Sequence, residues 1–172
     1  MNDKNRNLYY LEELSDYKVA DSDKDARGWE VKDKNNKVLG KVDNFVVNKK
    51  TEKVVYMDVE VDASIIKANA EPYRRSDASN AKKFVNEEGE NHLILPVGMV
   101  RLDTDDEYVI TDTIDYQTFS QTKRIRKGQP IQRDYEVVVL DSYTRNDDNV
   151  SYRDHDDNDD AFYANERFQR SN

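Results

Sequence analysis

The residues predict a mainly β protein, a small antiparallel β-barrel with a closing C-terminal helix and a polar tail. Three observations carry this. Short runs of alternating apolar and polar residues recur between Trp29 and Ile110, separated by turn residues, which is the pattern of a hairpin-connected sheet. The second run changes phase by one residue near Asp43-Asn44, the mark of a bulge, and small barrels use bulges to curl a sheet. Only 36% of the 172 residues are hydrophobic while 37% are charged, so the chain has material for one small core.

Residues 8–20 begin with Leu8-Tyr-Tyr-Leu11, and the three-residue spacing of Leu11 and Leu14 predicts a helical turn leading into an extended segment. After the acidic loop Asp21-Ser-Asp-Lys-Asp25, Trp29 and Val31 alternate with Glu30 and Lys32 in a first barrel strand. Lys34-Asn35-Asn36-Lys37 is a turn, because Asn tolerates the left-handed backbone of a tight hairpin. The second strand spans Val38 to Asn48. Turn residues 48–52 lead into a third strand, Val54 to Asp62, with Val55, Met57, Val59 and Val61 on one face and Tyr56, Asp58 and Glu60 on the other. Residues 64–91 form a polar insertion with a helical turn expected at 80–87.

His92 to Val100 is an apolar strand in which Pro96 calls for an edge position or a bulge. After the turn Asp103 to Asp106, a short strand covers Glu107 to Thr111. Thr113 is the expected N-cap of a helix reaching to about Ile125, with Tyr116 and Phe119 inward, and Gly128 and Pro130 stop it. Residues 131–140 could add a strand. From Asp141 onward there are nine acids and four bases, a net charge of −5 out of −9 for the chain. Such a segment lacks the apolar surface to offset the entropy of ordering, so 1–140 is expected to fold as one domain and 141–172 to remain a disordered acidic tail.

Composition excludes several function classes. There is no cysteine, which removes disulfides, thiolate metal sites and a thiol nucleophile. Neither a signal-peptide core nor an apolar run of spanning length occurs, so the expected compartment is the cytoplasm. The net charge of −9 repels nucleic acid and anionic membranes at long range. Two histidines, His92 and His155, accompany no G-x-S-x-G, P-loop, G-x-G-x-x-G or H-E-x-x-H motif, and in a chain with 36 acids paired carboxylates carry no information. No enzyme, cofactor or metal is expected.

Several segments together resemble the PRC-barrel family. They are Leu14-Ser-Asp-Tyr-Lys-Val-Ala20, the loop and strand Asp23-Lys-Asp-Ala-Arg27-Gly28-Trp29-Glu-Val31, and Val38-Leu-Gly40-Lys-Val42-Asp43. Val54-Val-Tyr-Met-Asp-Val59, His92-Leu-Ile-Leu-Pro96-Val97-Gly98 and Pro130-Ile-Gln-Arg-Asp-Tyr135 follow in order, so the resemblance covers roughly residues 8–136. The family is named for the cytoplasmic domain of the photosynthetic reaction centre H subunit and includes the C-terminal domain of a ribosome maturation factor. The residues contain no counterpart of the H subunit's spanning helix or of the ribosome factor's leader domain, so neither of those roles is carried over. The resemblance implies a non-catalytic protein-binding or assembly module, and a role in stress responses is among those suspected for free-standing members of the family.

Candidate interaction residues follow from local patterns. Arg27 and Trp29 flank Gly28 at a strand start; Trp29 is read as a core anchor, with a partner-facing Arg/Trp pair as the functional alternative. Residues 117–133 contain no acid and carry Lys123, Arg124, Arg126, Lys127 and Arg133, an alternative site for RNA or a ribosome, although only Phe119 is at hand for stacking on bases. The competing reading has these cations complementing a helix C-terminus or meeting the acidic tail. Asp21-x-Asp23-x-Asp25 spaces carboxylates like the start of a calcium loop, but Ala26 replaces the turn glycine and Lys32 the bidentate Glu. Asp154 to Asp160 fails in the same way, with Asp159 at the glycine position. The 11 tyrosines exceed what so small a core hides, so a homodimer is expected.

Overall fold

The computed structural model describes residues 8–13, 26–50, 53–68, 70, 86–87 and 89–144. Seven strands form one mixed sheet: β1 (Leu8–Tyr10), β2 (Glu30–Asp33), β3 (Val38–Asn48), β4 (Lys53–Val61), β5 (His92–Pro96), β6 (Arg101–Asp103) and β7 (Tyr108–Thr111). Among the described residues three α-helices accompany them: α1 (Ala63–Ala68), α2 (Tyr116–Ser120) and α3 (Arg133–Tyr143). The strand order is β5-β4-β3-β2-β7-β6, and β1 pairs with β3 beside the end that β2 leaves free.

The local hairpins form as their residues dictate. Asn36 takes the left-handed backbone, φ 68°, in the β2–β3 turn. The buried Asp33 carboxylate closes that turn by accepting from the amides of Asn35 and Lys37, each at 2.9 Å. The long strand β3 loses register with β4 between Val42 and Asn44, where the phase change of the sequence falls, and Asp43 is the extra residue. Pro96 sits on β5, the first strand in the sheet order, where its missing amide costs no ladder bond to a further named strand.

Several expectations need correction. The sheet is not wholly antiparallel: β2 and β7 run parallel, Glu30 opposite Tyr108 through Asp33 opposite Thr111. The chain reaches β7 only after traversing β3 to β6, and a long crossover of that kind permits a parallel neighbour as no tight hairpin does. Nor is the sheet closed into a barrel, since no ladder joins β5 to β6 among the described residues. The N-terminal order is reversed, a strand preceding a single helical turn at Leu11–Glu13, and Leu14 lies outside the described residues. The apolar run from His92 ends as a strand at Pro96; a helical turn, Val97–Met99, separates it from β6.

The helices move most. Asp115 rather than Thr113 caps α2, its side chain accepting from the Thr118 amide at 2.8 Å. The helix stops at Ser120, where the Ser120 hydroxyl donates to the Gln117 carbonyl and the Thr122 hydroxyl to that of Thr118. Such local side-chain bonds compete with helix continuation, so Lys123 and Arg124 lie beyond the helix on an extended strap. The possible strand at 131–140 is instead α3. Its buried residues Glu136, Val139, Leu140 and Tyr143 recur at helical spacing, and Asp134 and Glu136 stand in the first turn, where the helix dipole favours anions. Residues 141–144 are buried, so the packed structure continues past 140. The insertion opens with α1, whereas the helical turn expected at 80–87 falls mainly outside the described residues, as do the Asp21–Asp25 loop and residues 145–172.

Covering divides the sheet in two. Along the centre of β4 and β5 both faces are buried: Met57 and Val59 pair with Leu95 and Leu93 on one, while Tyr56, Asp58 and Ile94 lie on the other, Tyr56 and Ile94 against α3. The Tyr56 hydroxyl donates to Glu136 Oε1 at 2.8 Å and the Tyr143 hydroxyl to the Ile94 carbonyl at 2.8 Å, which ties α3 to that face. On β2, β7 and β6 only one face is covered. Val31, Asp33, Val109 and Thr111 are buried, while Glu30, Lys32, Tyr108, Ile110, Arg101 and Asp103 form the open face.

Candidate functional site

The strap after α2 brings the basic residues to the outer side of β5. Ile125 forms an antiparallel bridge with His92, amide to carbonyl in both directions at 2.9 Å. The strap therefore runs as an additional edge, and its side chains meet acids that lie far away along the chain. Lys123 pairs with Glu90, both largely sheltered. Arg126 reaches Glu87 at 3.5 Å and Glu90 at 3.6 Å. Lys127 reaches Asp43, the bulge residue of β3, at 3.5 Å.

Arg124 differs from its neighbours. It is 2% exposed. Its amide donates to Asn86 Oδ1 and its Nε to the Glu90 carbonyl, both at 2.7 Å. Burial pulls its guanidinium below the ordinary arginine value, and the nearby Glu90 charge opposes this. Arg27 lies exposed in the turn before β2, whereas Trp29 is buried, packed in the core.

A second polar group lies next to the strap. Asp58 and His92 are diagonal neighbours across the β4–β5 ladder, because His92 stands opposite Glu60 and Asp58 opposite Ile94. Their Oδ1 and Nδ1 share a hydrogen bond of 2.9 Å. The bulge turns Asp43 toward the same place, so that donor atoms of Asp43, Asp58 and His92 all lie within 4.8 Å of one another. Two carboxylates and an imidazole are a donor set that suits a divalent cation. Here, however, the imidazole and one carboxylate are bonded to each other and the Lys127 ammonium stands by the other, so the chain balances the group with its own charges.

Burial raises the Asp58 carboxyl above its usual range despite the His92 hydrogen bond. For His92, burial acts downward, but the Asp58 hydrogen bond and charge, with Asp43 and Glu60 adding, carry it above the ordinary histidine value. In the sequence these three residues lie far apart and share no motif. The single signal was the phase change at Asp43, which located the bulge without showing what it faces.

The chain matches no protein-family model, and none of the curated proteins matches it.

Proposed function

We propose that the chain is a non-catalytic interaction module of the PRC-barrel type that self-associates through the open face of β2, β7 and β6. The observation that carries this reading is the composition of that face. Tyr108 and Ile110, both half-buried, stand at its centre, and the Lys32 ammonium lies 4.7 Å from the Tyr108 ring centroid. Around them are Lys32 and Arg101 of one sign and Glu30 and Asp103 of the other. A patch carrying both signs can meet its own copy about a two-fold axis, each charge facing its opposite. Aromatic residues and arginine are the types that anchor protein interfaces. The resemblance to PRC-barrel proteins, with its bulged strand and the hairpins β2–β3 and β3–β4, supports the same kind of role.

The alternative, RNA or ribosome binding through residues 123–133, gains no support from the strap. Lys123, Arg126 and Lys127 each have an acidic partner within the chain and Arg124 is buried, so the strap presents no exposed basic patch along which a nucleic-acid backbone could lie. Sedimentation at micromolar concentration tests the proposal. A dimer is expected, reduced to monomer by Ile110→Arg or Tyr108→Asp with unchanged circular dichroism. A wild-type chain that remains monomeric throughout ends it.

A further inference from the structure

Between the strap and α3 lies an open cavity of about 390 Å³. Ile125, Pro130, Tyr135 and Val138 give it apolar walls, and Arg124 is part of its lining. Pockets of this size, mostly apolar with a few convergent polar groups, are the usual form of small-molecule sites.

Arg124 is the feature that the fold leaves unexplained. Its Nε is fixed by the Glu90 carbonyl and its backbone amide by Asn86, so the side chain is held in place. Its Nη1 is buried and has no hydrogen-bond partner among the described residues. Leaving a buried charged donor unmet is costly, and native interiors rarely do so without a bound partner. The planar guanidinium is suited to binding a carboxylate or a phosphate through two parallel hydrogen bonds.

Two acids share the lining and limit what the site accepts. Glu90 is offset by Lys123. Asp134 is exposed at the start of α3 and adds an uncompensated negative charge near the mouth. The two lining cations, Lys123 and Arg124, stand against two lining acids, Glu90 and Asp134, so a monoanion is accommodated at less cost than a dianion.

We propose that this cavity binds a small amphipathic carboxylate, its carboxyl group on Arg124 and its apolar body against Ile125, Pro130, Tyr135 and Val138. The ligand is a monocarboxylic acid with a short aliphatic or aromatic body. This site is separate from the open face of the sheet and does not depend on self-association.

Titration of the full chain with benzoate and hexanoate, followed by calorimetry or by amide shifts of residues 123–138, tests this. Saturable binding is expected, with benzamide and inorganic phosphate at least about tenfold weaker, the change that accompanies loss of one charge-assisted hydrogen bond. Arg124→Lys keeps the charge but not the planar fork and should also bind about tenfold more weakly. Because Arg124 is buried and its variant can unfold, Gln132→Glu provides a second test on an exposed lining residue: it should weaken benzoate binding while leaving the circular dichroism unchanged. No saturable binding of either carboxylate, equal binding of benzamide, equal or tighter binding of phosphate, or indifference to Gln132→Glu in a folded chain would each overturn the proposal.

Discussion

Asp58 and His92 share a 2.9 Å hydrogen bond at a place where their side chains are 2% and 3% exposed, with Asp43 of the bulge facing them. The pair couples β4 to the edge strand β5 through a proton. Both groups have folded values above their unfolded ones, Asp58 through burial and His92 through its carboxylate neighbours, which outweigh burial.

At this pair the folded chain binds protons more tightly than the unfolded chain, so the contribution of the pair to stability falls as pH rises. The His92 contribution is complete below about pH 6.5, the unfolded histidine value, and is lost as pH climbs through the raised folded value. Asp43 and Glu60 add to the His92 shift, while Lys127 acts on Asp58 in the opposite direction. Urea midpoints measured from pH 6 upward should decline, and His92→Gln should flatten the decline. A wild-type midpoint that rises over this interval contradicts the assignment.

Gly40 is required by a close approach between β3 and β4. A Cβ at this position overlaps the Glu60 carbonyl oxygen and comes within 2.8 Å of Val59 Cγ1. Backbone cannot swing aside as a flexible side chain would, so Gly40→Ala should force the two strands apart. The expected cost is about 2–3 kcal/mol, the range of overpacked interiors. Chemical denaturation of this variant gives the figure directly, and an unchanged midpoint would mean that the strands are farther apart than described.

Two tyrosine hydroxyls hold α3 and differ in their acceptors. Tyr56 donates to the buried carboxylate of Glu136, which Arg133 also approaches at 3.3 Å, whereas Tyr143 donates to a neutral carbonyl, that of Ile94. Hydrogen bonds to charged groups are worth about 1.5–3 kcal/mol against about 1 kcal/mol for neutral ones. Tyr56→Phe should therefore destabilise the chain more than Tyr143→Phe. The reverse order in paired denaturation curves would show that α3 is not docked through Glu136.

These relationships differ in how far the sequence displays them. The hairpins were legible because alternation, Asn36 and the phase change at Asp43 act over a few residues. The parallel β2–β7 ladder was not, since Val31 and Val109 alternate in the same way whichever direction their neighbour runs. The Val137-Val138-Val139 run has strand character, and it hid the helical spacing of Glu136, Val139, Leu140 and Tyr143 until packing selected it. Arg124 was visible as one cation among four. Its burial was not, because that depends on Asn86 and Glu90, which come from the far end of the polar insertion. The Asp58–His92 contact depends likewise on the register of two strands far apart in sequence.

The strap cations should respond unequally to reversal. Lys123 and Glu90 are 13% and 8% exposed, so Lys123→Glu sets a second carboxylate against one that is already sheltered. Removing one partner from a buried pair costs about 3–5 kcal/mol, and partial shelter places this case toward about 2–3 kcal/mol. Arg126 is half exposed and its partners are 3.5 and 3.6 Å away, so Arg126→Glu should change stability by about 1 kcal/mol or less, as surface pairs do. If the strap instead served as a phosphate-binding patch, both reversals would reduce RNA affinity and the salt dependence together while sparing the fold. Denaturation and filter binding of the two variants side by side separate these outcomes, and the expected result is a stability loss confined to Lys123→Glu with no salt-sensitive RNA binding in any of the chains.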